Sequence, residues 1–177
     1  MIIAGTRRRM YDLSTLFAWF IIYSYIGWLY ETIVCSVSAG RFVQRGFMYG
    51  PLCPIYGSCI VLMIVLFSDR CKSKVSLFFS CAFLASMMEY LVSYTMESIF
   101  QNRWWDYSNE FLNLNGRICL GASIIFGISG VIIIRYLHPK LLDYMEKNFS
   151  SNSIRLANRF VLAIFLFDLF VSVQMSL

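Results

Sequence analysis

The chain has 177 residues, of which 59% are hydrophobic, 18% aromatic and 14% charged, whereas an ordinary soluble domain carries roughly 25% charged residues. A soluble domain of this length keeps about a third of its unfolded surface wet, which 15 Lys and Arg with 10 Asp and Glu cover poorly; the composition excludes an ordinary soluble globule. The net charge of +5 would suit a nucleic-acid binder only if the basic residues gathered on one solvated face, and they are spread along the chain instead.

What remains is an all-α, polytopic membrane protein: one integral membrane domain over residues 1–177 with the lipid bilayer as its surroundings. A hydrocarbon core of about 30 Å needs about 20 mostly apolar residues in helix, and such stretches are predicted near residues 14–37, 47–67, 75–100, 118–137 and 160–177. The first follows Arg7, Arg8 and Arg9 and ends on the small residues Val37-Ser38-Ala39, as a secretory signal does. Its length and Glu31 favour a retained helix instead.

The second span is irregular at its outer end. Only Ile55 to Phe67 is strongly apolar, and Gly50-Pro51 and Pro54 interrupt any helix across the preceding residues. Either irregular backbone lies at membrane depth, where it must be buried in protein or line a wet cavity, or the prolines start the helix late, at the interface. The third and fourth spans carry small and polar stripes at helical spacing: Ala82, Ser86, Glu89, Ser93 and Glu97 on one, and Ser123, Gly127 and Gly130 on the other. After the fourth, residues 139–149 form a cytoplasmic amphipathic segment with Leu141, Leu142, Met145 and Phe149 on one side. That segment reads as an interfacial helix or as the contact for a partner chain.

The basic residues give the orientation. Arg7 to Arg9, Arg70, Lys72, Lys74, Arg135, Lys140, Lys147, Arg155 and Arg159 fall on one side, and only Arg41, Arg45, Arg103 and Arg117 on the other. By the positive-inside rule the N-terminus is cytoplasmic and the C-terminus outside, in a bacterial plasma membrane.

Glu31, Glu89, Glu97 and Asp168 lie within the predicted spans, where ionisable groups face a bundle interior or a water-filled path. On the first span Glu31 shares a stripe with Ser24, Gly27, Cys35 and Ser38. The orientation places Glu31, Glu89 and Glu97 toward the outer side, with the four arginines. Arginine without lysine there suits guanidinium forks that hold carboxylates or an anionic ligand; the competing reading is a set of ion pairs tying loops to helices. For Asp168, with Ser172 one turn on, a packing seam is the favoured reading. The loop Arg103-Trp104-Trp105-Asp106-Tyr107-Ser108 concentrates polar and aromatic groups, and Asn115-Gly116 is a turn signal that presents Arg117 at the mouth of the fourth span. The candidate substrate-binding or translocation set is therefore Glu31, Arg45, Glu89, Glu97, Arg103, Trp104, Trp105, Asp106, Tyr107, Asn115 and Arg117.

Catalytic signals are weak. The six cysteines lack Cys-x-x-Cys spacing and there is one histidine, His138, so no zinc site or other cofactor is expected, and no catalytic residue is assigned. A disulfide among Cys35, Cys53 and Cys119 stays open.

The runs Tyr23-Ser24-Tyr25-Ile26-Gly27-Trp28-Leu29-Tyr30-Glu31 and Arg45-Gly46-Phe47-Met48-Tyr49-Gly50-Pro51-Leu52-Cys53-Pro54, followed by Glu89-Tyr90, Arg103 to Ser108 and Asn115 to Cys119, carry a family likeness. Over roughly Phe20 to Pro139 the chain resembles the ABC-transporter type IV (CmpB-like) family of small bacterial membrane proteins. The resemblance implies a multi-pass, permease-like subunit. The phosphate-cradling run G-x-x-x-x-G-K-[ST] is absent, so an ATPase would be a separate subunit; a homo-oligomer is the other partner expected. The alternatives are a membrane-embedded enzyme acting on a lipid or envelope precursor, with Glu31 or Glu89 as general base, and a small assembly or regulatory protein.

Overall fold

A computed structural model describes residues 12–177; Arg7 to Arg9 and the rest of the N-terminal segment lie outside the described residues. The regular structure of the described residues is all helical, with no strand beyond an isolated bridge between Leu114 and Ile118. Its helices are α1 (Leu13–Ala39), α2 (Pro54–Phe67), α3 (Lys74–Phe100), α4 (Leu120–Ile132), α5 (His138–Asn148) and α6 (Ser151–Ser176), with a π-helical turn, Ile133–Leu137, between α4 and α5. Four stretches are long and apolar enough to cross a membrane: α1, α3, α6 and the continuous run Leu120–Asn148. With the shorter apolar α2 they make the expected bundle of about five helices.

The helix ends follow local chemistry. Gly40, at φ 64°, closes α1 and returns its N–H to Val37 O, a left-handed cap that costs glycine nothing. Ser73 and Ser150 cap α3 and α6 by accepting from Val75 N and Ser153 N. α2 begins on Pro54, where the missing N–H is an orphan of the first turn anyway. Its 14 residues reach only about 21 Å at 1.5 Å per residue, short of the bilayer core. The preceding residues 41–53 are bends and extended chain.

The amphipathic segment expected as a separate element after the fourth span is continuous with it. Pro139 supplies the reason for the π turn: in a regular α-helix its ring would meet the carbonyl of Arg135. The wider turn, closed by His138 N–H on Ile133 O, carries that carbonyl aside.

The chain divides into two compact units, residues 1–61 with 148–177 and residues 62–147. In the first, α1 packs closely on α2. A Cβ at Gly27 would stand 2.5 Å from Tyr56 Cβ, and one at Gly57 would strike Ser24 Oγ and Phe20 O. In the second, the small face predicted on the fourth span meets α3. A Cβ at Gly127 would fall 2.6 Å from Phe78 Cε2 and one at Gly130 2.5 Å from Cys81 Cβ, while Ser86 and Ser123 share a hydrogen bond of 2.7 Å. Small residues here let two backbones approach, as membrane helices do when no hydrophobic force separates them from lipid.

Candidate functional site

The candidate residues fall into two sets, one in each unit. In the first unit Glu31 projects from α1, and Arg45, on the loop after it, places both Nε and Nη2 on Glu31 Oε1 at 3.1 and 2.9 Å. The other carboxylate oxygen, Oε2, faces the buried thiol of Cys53 at 3.7 Å. Burial pulls the Arg45 guanidinium down, but Glu31 outweighs it and leaves the group more basic than usual. The pair is therefore a fixed ion pair with one oxygen firmly held and the other met only by a weak thiol donor.

Asp168 belongs to the same unit and was not among the candidate site residues. Its Oδ2 accepts from Gly50 N at 2.9 Å, and its Oδ1 accepts from Tyr49 N at 3.2 Å. Ser172, fully buried one turn on, also accepts from Tyr49 N at 3.1 Å. The seam read at Asp168 and Ser172 is thus polar: two backbone N–H groups meet the carboxylate, in the manner of an anion nest. Cys53 N–H donates to Ser24 O at 3.0 Å, so three amides of the irregular backbone before Pro54 are met by α1 and α6.

The second set is built on the end of α3 and the loop 101–119. Glu97 receives Arg103 Nε on Oε1 at 2.9 Å and Arg117 Nη1 on Oε2. Arg117 is nine-tenths buried and lies over the rings of Tyr90 and Tyr94, 5.8 and 5.4 Å from their centroids. The hydrogen bond from Arg117 to Glu97 raises the basicity of the guanidinium, against the pull of burial. Its Nε–H is buried with no hydrogen-bond partner among the described residues. Glu89, buried in mid-helix, accepts from Tyr107 OH at 3.1 Å. Trp105 Nε1 donates to Arg117 O at 3.0 Å, and Asn115 Nδ2 donates to Tyr90 OH at 2.9 Å. Trp104 stacks edge-on against Phe100, 5.6 Å between centroids.

Asp106 organises the loop rather than the carboxylate cluster. The hydroxyl and backbone N–H of Ser108 both bond its Oδ1 and hold its carboxyl below the usual range, while Arg103 stands 3.8 Å away. Gly116, at φ 68°, passes between Asp106 and Ser108, where a Cβ would meet Asp106 Oδ1 at 2.5 Å.

Sequence reading missed the two tyrosine platforms, although Tyr90, Tyr94 and Glu97 follow helical steps of four and three and so share a face. It also missed Cys53 and the Tyr49–Gly50 amides, for which no side-chain pattern gives a signal. All six cysteines are free thiols, and among the described residues no group of His, Cys, Asp and Glu is arranged to hold a metal.

No curated protein and no solved structure is similar to this chain. The family model described as "Putative ABC-transporter type IV" matches residues 18–173, which extends the likeness from the loops and central helices through α6 and Asp168. With helices long enough to cross a membrane several times, the chain is a multi-pass membrane protein that belongs to this family.

Proposed function

We propose that the chain is a permease-like subunit of an ABC-type transport system, and that its carboxylate–arginine sets contribute a binding or translocation site. The observation that carries this reading is Arg117: a nine-tenths-buried guanidinium, stacked on two tyrosines, with its Nε–H unmatched by any described residue. An ion pair built only to tie a loop would not need a desolvated donor left over, since an unmade buried hydrogen bond costs about 1–3 kcal/mol. Glu31, with one oxygen met only by a thiol, offers spare acceptor capacity in the other unit. The ATPase is a separate subunit, for which the exposed, charged stretch of α5 with Lys140, Asp143, Glu146 and Lys147 is the proposed contact. The proposed orientation has the N-terminus in the cytoplasm and the C-terminus outside, in a bacterial plasma membrane.

Glu31→Gln, which keeps size, and Arg117→Lys, which keeps the charge but removes the planar guanidinium and its Nε–H, test the site. Each is expected to lower the chain's transport-dependent phenotype in the native host at least about tenfold, at unchanged membrane abundance. Loss of abundance in step with activity would assign the pairs to structure alone. Mild-detergent co-purification with mass spectrometry tests the partner: a stoichiometric ATPase chain is expected, and its absence from a monodisperse, active preparation would overturn the subunit reading.

A further inference from the structure

The segment from Gly46 to Cys53 has no helix or sheet of its own to hold it, yet it is fastened at both ends and in the middle. Arg45, just before it, is bound to Glu31, and Cys53 at its end donates its N–H to Ser24 O. Between them, Tyr49 and Gly50 give their N–H groups to a single side chain, Asp168 of α6, with Ser172 beside it. Under the segment lie Met48 and Cys53, both almost wholly buried, and Cys53 Sγ covers the second oxygen of Glu31. Gly46, at φ 97°, lets the chain pass over this thiol: a Cβ there would stand 2.8 Å from Cys53 Sγ. Gly50 fits for a similar reason, since its Cβ would stand 2.6 Å from Asp168 Oδ2.

The attachment on the α6 side is unusual in kind. Ser172 is the only buried residue of α6, so little apolar packing holds that helix in its unit. Polar and aromatic ties fasten it: Asp168 and Ser172 to the segment, Asn158 Nδ2 to Ser14 O at 2.6 Å, and Phe165 edge-on to Phe20 at 5.5 Å. Hydrogen bonds to a carboxylate are strong when made and are lost as a set when the partner moves away.

We propose that residues 46–53 form a strap, clasped by Asp168, whose release uncovers Cys53 and frees the second carboxylate oxygen of Glu31. A displacement of α6 opens the clasp, and with it the site, without disturbing the Arg45 pair. The consequence for transport rests on Glu31 and Arg45 being part of a binding site; the strap itself is read out without any transport assay.

Cys53 is the reporter. Native membranes carrying the full chain are treated with N-ethylmaleimide, and labelling at each cysteine is followed by mass spectrometry, with Cys53 expressed relative to buried Cys59 and Cys81 in the same molecules. In the wild type Cys53 is expected to label as slowly as those two and far more slowly than half-buried Cys71, which lies on a loop outside the spans. Asp168→Asn, which turns one acceptor into a donor facing an N–H, and Gly50→Ala, which drives a methyl group against the carboxylate, open the clasp by unrelated means. Each is expected to raise the ratio of Cys53 to Cys59 and Cys81 labelling by about tenfold or more, as loss of one charge-assisted hydrogen bond predicts. A ratio that stays unchanged in both variants, including the case in which all three cysteines become reactive together, overturns the strap. So does a wild-type Cys53 that labels as fast as Cys71. Transport lost in Glu31→Gln with an intact clasp response would separate the strap from the site reading, and the reverse pattern would do the same.

Discussion

Arg117 shows how one side chain is shared between a loop and a helix. Its carbonyl takes the Trp105 indole N–H, its Nη1 reaches Glu97, and its Cζ lies over the Tyr90 and Tyr94 rings. Because Arg103 also binds Glu97, Arg117→Ala does not strand the carboxylate, and the expected result is a modestly lower apparent melting temperature in detergent. Asp106 gives a pH expectation. Its folded pKa lies below the ordinary 3.8, so the contribution of its Ser108 bonds is fully present above that value and is lost only as pH falls through the lower, folded one. Acid titration followed by tryptophan fluorescence is thus expected to leave the loop intact below pH 3.8, whereas Asp106→Asn removes the acid transition.

Among the elements, the glycine contacts set the tolerances. Gly27→Ala is expected to destabilise the first unit by about 1–3 kcal/mol through overpacking against Tyr56, whereas Gly121→Ala, with nothing within 4 Å, is expected to be silent in the same melting experiment. The stripes that make these seams were legible because small residues recur at steps of three and four: Ser123, Gly127 and Gly130 do face α3, and Glu89 and Ser93 are buried. The helix of the second span does begin at Pro54, where Gly50-Pro51 and Pro54 interrupt the pattern in the sequence. The continuity of α4 with α5 was not legible, because a proline ordinarily reads as a break; only backbone geometry reveals that a π turn accommodates Pro139. Nor were the strap's anchors legible, since amide donors on Tyr49 and Gly50 carry no side-chain signature. Pro139→Ala removes the reason for the wide turn. Relaxation to a regular helix would rotate α5 by about 100°, detectable as a changed distance between spin labels at Lys74 and Tyr144, both in the second unit.

For the whole molecule, hydropathy and the match over residues 18–173 agree on a multi-pass protein of one family. The charge of +5 separates into basic flanks on alternate loops and a nearly balanced population of arginines and acids. Topology reporters fused at Ser108 and Ser151 are expected to signal opposite sides of the membrane, and equal signals would refute the proposed orientation. The first unit is assembled from the early and the late parts of the chain, residues 1–61 and 148–177, whereas the second is a single stretch, 62–147. The bond from Gly50 to Asp168 spans 118 residues. During synthesis at about 5–20 residues per second, the loop carrying Tyr49 and Gly50 therefore waits for several seconds, with its amides unmatched by α6, before its clasp exists. Folding of the first unit is completed last although its first helix is made first, and this interval is when the nascent chain is most exposed to mispairing.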